Sequence, residues 1–372
     1  MKNATTAVLQ LVVAVALAAG CAPAPVEAGL EAPTALTAAF GRDEGRGNLL
    51  GVQVWLTPRD YADRARLRAR IDGWLDEAHR QGLVNQRTVV VFPEYAGAWL
   101  VAEGEGPDVV DAPTIGDAMT AMALAHLPEF AGARLSAPAD DADAYAAFAI
   151  KAERMAAAIT EVFGSLARDH GVTVVSGSAL LPTPEVVDGA IAVTPGAPLQ
   201  NVVFVFGPDG APYPDVVRKA FPIESELPFV EPADPAALPV FDTPAGRLGV
   251  LICADSWYPA SYREMEAKGA EVLAVPVFAT GEWRGPWKGY NGADEPSDVD
   301  LADIDALTED QAWMKYSAPG RAPRAELFKA LTVTLRGRYW DLHAEGQPLV
   351  VNGPARERAP EVDAPLLTSL WL

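Results

Sequence analysis

The chain has 372 residues, 50% hydrophobic and 21% charged, a globular composition that excludes intrinsic disorder. A chain of this length buries roughly 75% of its unfolded surface, so the core needs neither a disulfide nor a structural metal. With 29 basic against 50 acidic residues the net charge is −21, which repels phosphate and argues against nucleic acid or an anionic lipid surface as a partner.

Residues 1–20 carry one charge, Lys2, ahead of the apolar run from Leu11 to Ala19. That pattern predicts the n- and h-regions of a secretory signal. The run is too short for a bilayer span, which takes about 20 apolar residues. Its end, Leu17-Ala18-Ala19-Gly20-Cys21, resembles a bacterial lipobox. The resemblance implies cleavage before Cys21, acylation of its thiol and a lipid anchor in the membrane. Ala22, where an aspartate would imply retention, implies the outer membrane facing the periplasm. The other reading is an ordinary cleaved signal followed by an unrelated cysteine. Residues 22–38 are rich in Ala and Pro without periodicity, which predicts a flexible tether over 21–45. An acylated Cys21 leaves the other cysteine, Cys253, a free thiol. Four histidines and no CxxC pair give a zinc site little to build on, and no cofactor is expected.

Residues 46–372 read as one α/β domain. Alternating apolar residues predict a first strand over 49–56. Leu67, Ile71, Trp74, Leu75 and Ala78 recur at helical spacing and predict a helix over 59–81. A short buried strand over 88–92 follows. Residues 103–142 are broken by Gly, Pro and Asp and read as a long surface insertion. Phe148, Ala152, Met155, Ile159, Val162 and Leu166 mark the buried stripe of a second helix, over 143–170. Strands are predicted over 172–178, 201–206 and 215–221, with Gly207-Pro-Asp-Gly210 a turn between the last two. Residues 247–252 and 271–275 read as strands joined by a helix that starts at Pro259 and ends before Gly269. Residues 281–323 form a second insertion, within which 294–310 holds eight acids and no Lys or Arg and reads as a solvated loop. In 324–351 the first half fits helix, while Ala330–Trp340 fits strand.

Three of these strands end in reactive side chains. Glu94 lies just past 88–92, behind Pro93. Lys219 ends the strand after Val216-Val-Arg. Cys253 ends Leu248-Gly-Val-Leu-Ile, where a helix is about to begin. Strand ends in α/β sheets converge on one crevice. A free thiol is only a few per cent ionised at neutral pH and needs a base to become a good nucleophile. A carboxylate could take its proton and return it to a leaving amine, and an ammonium could stabilise the oxyanion. Taken singly, each is also an ordinary surface charge or a small buried hydrophobe.

The order Glu94, Lys219, Cys253, with the local words FPE, RK and GVLICADSWYP, resembles the nitrilase (carbon–nitrogen hydrolase) superfamily. Arg263-Glu-Met-Glu-Ala-Lys-Gly-Ala-Glu-Val-Leu-Ala-Val-Pro276 also matches the helix and strand that follow that family's cysteine. The resemblance covers roughly 49–280. It implies a four-layer α-β-β-α sandwich, often dimerised through a helical face, so that a homodimer is expected. It implies a Glu–Lys–Cys triad acting on a small-molecule, non-peptide amide through a thioester: Glu94 as base, Lys219 as oxyanion stabiliser and Cys253 as nucleophile, with the backbone N–H of Ala254 sharing the oxyanion hole. A second glutamate after the lysine is also implied, Glu226 or Glu224, which spacing does not separate. Asp255 and Trp257 flank the nucleophile and either shape the pocket or pack. The multi-spanning acyltransferase branch of the family does not fit a chain with no apolar run of spanning length.

Two other readings use the same residues. One is a catalytically inactive, nitrilase-like lipoprotein that binds a ligand or a partner protein. The other pairs Cys253 with His343 as a Cys/His enzyme, although nothing in the sequence orients that histidine.

Overall fold

The computed structural model describes residues 34–290 and 298–372, so the leader, Cys21 and the tether up to residue 33 lie outside the described residues. The tether ends sooner than composition predicted. Leu36–Phe40 is a strand, β1, paired in parallel with the last strand of the chain. Its LTAAF sequence shows no strand-like alternation because it lies at a sheet edge with most of its side chains exposed; backbone pairing alone fixes it.

β2 (Asn48–Gln53) is followed by α1 (Arg64–Arg80), whose buried stripe of Leu67, Ile71, Trp74, Leu75 and Ala78 is the predicted one. Asp63 caps α1 by accepting from the N–H groups of Ala65 and Arg66. β3 (Thr88–Val91) is buried throughout. The 103–142 insertion lies at the surface as read, but it is helical: a turn at Pro107–Val110, α2 (Ile115–Ala125) and α3 (Leu127–Leu135). Its periodicity was hard to see because α2 buries only Ala118 and Met122, and α3 only Phe130. The single helix predicted over 143–170 is divided into α4 (Ala142–Ala149), α5 (Ala152–Ile159) and α6 (Ser165–His170). The first break brings the buried Lys151 ammonium to the Glu103 carbonyl, at 3.0 Å. The second is a wide turn at Thr160–Gly164, where Gly164 meets the Gly207–Gly210 turn; a Cβ there would lie 2.7 Å from the Gly210 oxygen.

The remaining strands of the two main sheets are β4 (Thr173–Pro182), β5 (Leu199–Phe206), β6 (Val217–Arg218), β7 (Val240–Thr243), β8 (Gly246–Val250), β9 (Val272–Val277), β10 (Lys329–Thr334), β11 (Leu349–Asn352), β12 (Ala355–Arg358) and β13 (Leu366–Trp371). α7 (Pro259–Ala267) joins β8 to β9, and α8 (Glu309–Tyr316) lies in the second insertion. Residues 324–351 resolve mainly as strand rather than helix. One sheet has the order β1-β13-β2-β3-β4-β5-β6, and the other β7-β8-β9-β10-β11-β12.

Strand alternation assigns the layers. Leu50, Val52, Val90, Val174 and Phe204 point outward to α1 and α5. Leu49, Val89, Val91, Val175 and Val203 point inward to the second sheet. Between them Gly51 lets the sheets close, since a Cβ there would lie 2.7 Å from Val333 and 3.1 Å from Leu331. On the outer face of the second sheet Gly249 sits under Met265 of α7. The stack is helix, sheet, sheet, helix, the four-layer α-β-β-α sandwich that the family resemblance implied.

The second insertion is more ordered than its composition predicted. Trp283, Trp287, Trp313 and Tyr316 are buried, and Asp310 is a buried partner of Arg284 at 2.7 Å and Arg358 at 3.2 Å. Asp298 pairs with the buried Arg321. Residues 291–297 lie outside the described residues. Among the described residues no helix is long and apolar enough to cross a membrane.

Candidate active site

Two of the three functional side chains are placed by backbone irregularities. β4 carries a bulge between Val175 and Ser178, in which Gly177 has φ +71°. Its backbone lies so close to the turn after β3 that a Cβ would sit 2.4 Å from the Pro93 oxygen, so only glycine fits. Ser178 then accepts from the Tyr95 N–H through Oγ, at 2.9 Å, and from the Gly97 N–H through its carbonyl, also at 2.9 Å. This clasp aims Glu94 inward. Lys219 is held at the end of β6 by its own N–H, which donates to the Asn201 carbonyl at 2.9 Å. Cys253 follows β8 with φ +47°, a left-handed conformation that is uncommon outside glycine and marks functional turns.

The residues after Cys253 add one feature the sequence did not show. The helix starts at Pro259, as the sequence predicted, but Cys253–Trp257 ahead of it is a 3₁₀ turn containing Ala254. Asp255 is the clamp of this turn. Its carboxylate accepts from the N–H groups of Ala220 (3.0 Å), Phe221 (2.9 Å) and Ile252 (3.2 Å), tying the lysine loop to the cysteine loop. Trp257 packs rather than facing a ligand: its ring lies against Trp287, Tyr290, Trp313 and Tyr316, anchoring the second insertion.

The three strand ends meet. Lys219 Nζ lies 2.8 Å from Glu94 Oε1 and 2.6 Å from Glu226 Oε2. Glu226 is therefore the second glutamate beside the lysine, and Glu224 is exposed. Asn201 Nδ2 donates to both carboxylates, to Glu94 at 3.0 Å and to Glu226 at 2.9 Å. The Tyr95 hydroxyl and the Ile223 N–H also donate to Glu226. The Phe278 N–H donates to Glu94 Oε2 at 2.9 Å, and the Cys253 thiol lies 3.8 Å from the Phe278 carbonyl. Glu94, Lys219 and Glu226 are 1–2% exposed, whereas Cys253 retains 7%. Cys253 is thus the least buried of the four residues.

Electrostatics divide the two carboxyls. Burial raises the pKa of Glu94, and the Glu226 charge adds to this against the pull of Lys219. Burial would raise Glu226 as well, but the Lys219 charge and the donors around it hold it below the usual carboxylate range. Burial would lower Lys219, but Glu226 and Glu94 overcome it and keep the ammonium charged. Burial and the adjacent Glu94 charge push the Cys253 thiol well up, so it rests protonated. Burial also lifts Asp255, to about 7. A neutral thiol thus lies beside a carboxyl poised to exchange a proton, with a fixed ammonium to receive negative charge. Opposed environments of this kind separate acid–base roles.

His343 does not join the group. It is exposed on a short strand opposite Arg338, and the charges acting on the thiol are those of Glu94, Lys219 and Glu226. Among the described residues no group of three or more His, Cys, Asp or Glu side chains could hold a metal ion. Sequence reasoning missed Asn201 and Tyr95. The available signal for Asn201 was an amide inside the fully buried run LQNVVFVF, where a polar side chain needs partners.

The family model for carbon–nitrogen hydrolase matches residues 53–293, which includes every residue of this group. A nitrilase from Pyrococcus abyssi is 36% identical over 112 residues, 30% of this chain and 37% of that protein. A deaminated glutathione amidase from Yersinia enterocolitica is 44% identical over 43 residues, 12% of this chain and 15% of that one. The matched stretch thus spans well under half the length of these curated relatives. An amidase from Nesterenkonia sp. superposes with a TM-score of 0.52 at 18% identity, over 87% of this chain and 88% of that one. A mutant of that amidase carrying the acetamide moiety of fluoroacetamide on its active-site cysteine also superposes with a TM-score of 0.52, at 18% identity and the same coverage.

Proposed function

The chain belongs to the carbon–nitrogen hydrolase family, within the nitrilase superfamily, and from that premise we propose that it hydrolyses a small non-peptide amide through a thioester on Cys253. The observation that carries the reading is the Lys219 ammonium shared by Glu94 and Glu226, with the Cys253 thiol beside Glu94. Glu94 accepts the thiol proton as sulfur attacks the amide carbon. The tetrahedral oxyanion draws on Lys219 and the Ala254 N–H. Glu94 then gives its proton to the departing nitrogen, so the carbon–nitrogen bond breaks, an amine or ammonia leaves and a thioester remains. Water, deprotonated by Glu94, attacks the thioester, releasing the carboxylic acid and restoring the thiol. Glu226 keeps the ammonium in place and, by its charge, keeps the Glu94 pKa high.

The chain works at the cell envelope in this reading, held to the outer membrane by an acylated Cys21 and facing the periplasm. Detergent-phase partitioning that is lost on Cys21→Ala tests the anchor. The activity is tested on the full chain by ammonia release from a panel of primary amides, with intact mass to detect the acyl-enzyme. Turnover is expected to vanish in Cys253→Ala with the melting transition kept, and normal turnover in that variant rejects the mechanism. A thiol-reactive amide analogue that leaves Cys253 unlabelled would favour the inactive, ligand-binding alternative.

A further inference from the structure

A row of aromatic rings runs outward from the nucleophile. Phe278, whose main chain touches both Glu94 and Cys253, packs its ring 5.3 Å from Tyr95 and 6.3 Å from Trp99. Trp99 in turn lies 5.8 Å from Trp340 and stacks on Tyr339 at 5.0 Å. Trp99 is buried, but Tyr95, Phe278 and Trp340 are only half-buried. The buried Trp99 indole N–H has no acceptor among the described residues, an orphan donor of the kind a ligand satisfies. The charged side chains of the group are sealed, so a molecule reaching the sulfur along this row meets ring faces.

Trp340 is an unexpected residue where it stands. It is the first of two residues joining Arg336–Tyr339 to Leu342–His343, with φ +56°, a loop position that suits glycine and that a bulky side chain occupies only under strain. The 103–142 insertion holds it there. The Trp340 indole donates to the Val109 carbonyl at 2.8 Å, and the Ile115 N–H donates to Asp341 Oδ1 at 2.8 Å. A strained residue that is over-determined by its neighbours, at the end of a ring row leading to the nucleophile, points to selection for what its side chain touches.

We infer that Trp340, set in place by the insertion, is a specificity-determining residue of this site, and that the substrates are amides with a large apolar or aromatic acyl group. This rests on the reading of Cys253 as the attacking residue. The acyl chain lies along Phe278, Tyr95 and Trp340, while the small nitrogen side of the amide faces the sealed carboxylates. Offset and edge-on contacts with three rings favour a planar acyl group over a short polar one.

The test uses the full chain, with phenylacetamide and acetamide as probes. In the Cys253→Ala protein, calorimetric titration is expected to show phenylacetamide binding at least about tenfold more tightly than acetamide, with Trp340→Gly removing that preference. Glycine suits φ +56° and offsets part of the lost Val109 bond and Trp99 contact, and a melting curve of Trp340→Gly checks that the variant is folded. With Cys253 intact, Trp340→Gly is expected to lower the ratio of kcat/KM for phenylacetamide over acetamide at least about tenfold, mainly through KM. Equal affinity for the two amides, or an unchanged ratio in Trp340→Gly, overturns the inference. A protein that binds phenylacetamide in this Trp340-dependent way but releases no ammonia overturns the hydrolytic reading and supports this one.

Discussion

Glu94 and Glu226 flank one ammonium and also share one amide: Lys219 Nζ and Asn201 Nδ2 each bond both carboxylates, at 2.6 to 3.0 Å. Two buried carboxylates around one cation leave a surplus negative charge. Burial of a charge without full compensation is costly, so a proton on one carboxyl relieves it. Glu226 collects donors from Tyr95 and Ile223 as well, whereas Glu94 faces the thiol. Of the two carboxyls Glu94 is therefore the one whose pKa is raised, which makes it the stronger base towards the thiol once ionised.

Glu94→Gln is expected to lower kcat by about 10²- to 10⁴-fold, the usual worth of a general base. In the unaltered protein, kcat/KM is expected to rise with pH along an acidic limb above the ordinary carboxylate range, because only ionised Glu94 accepts the thiol proton and its pKa is raised. Glu226→Gln removes a negative charge that holds Glu94 up, so the limb moves to lower pH even as turnover falls. A pH–rate profile of residual activity reads both. A limb that stays in place in Glu226→Gln would separate the two carboxyls electrostatically and reject the shared-ammonium account.

Asn201→Leu is expected to move the same limb the other way. The amide donates to Glu94 and stabilises its charged form, so loss of that bond raises the Glu94 pKa further. Leucine has nearly the same volume and leaves the carboxylates short of a donor, at a stability cost of about 1–3 kcal/mol. A purely structural role for Asn201 would lower the melting temperature without shifting the profile.

The reactive strand ends were legible because the apolar residues of β3, β6 and β8 deliver Glu94, Lys219 and Cys253 just past their ends. The helix stripe of α1 was legible for the same reason, a period matched to one buried face. Asn201 was not, because its partners, Glu94 and Glu226, come from elsewhere in the chain. The left-handed φ of Cys253 and the Gly177 bulge were equally hidden, since both are set by neighbouring strands. β1 was misread as tether because an edge strand exposed on most positions has no hydrophobic pattern to read.

That misreading gives a test by truncation. Removal of residues 1–33 is expected to leave the melting temperature unchanged, whereas removal of 1–45 takes away β1 and strips β13 of a parallel partner along Leu366–Leu370. β13 then becomes an open edge, so a melting temperature lower by several degrees and concentration-dependent aggregation are expected. Calorimetry and light scattering on the two truncations decide it; identical behaviour would mean that β1 contributes nothing to the fold.

Asp255 makes stability depend on pH in a direction opposite to that of most carboxylates. Burial raises its folded pKa to about 7 from 3.8, against the Lys219 charge and the three N–H donors it clamps. Between those values the folded chain keeps a proton that the unfolded chain has released. Stability from this group is therefore full below about pH 4, falls as pH rises towards 7 and is flat above it. The whole loss is of the order of 4 kcal/mol. Asp255→Asn removes the titration. It also sets an amide N–H₂ against one of the clamped N–H groups, at a pH-independent cost of about 1–3 kcal/mol. The stability difference between the unaltered protein and Asp255→Asn is thus expected to favour the unaltered protein most at pH 4 and to shrink as pH approaches 7. Urea melts at intervals across that range measure it. A difference that grows with pH would mean that Asp255 is held ionised by Lys219, with its clamp acting as a full carboxylate.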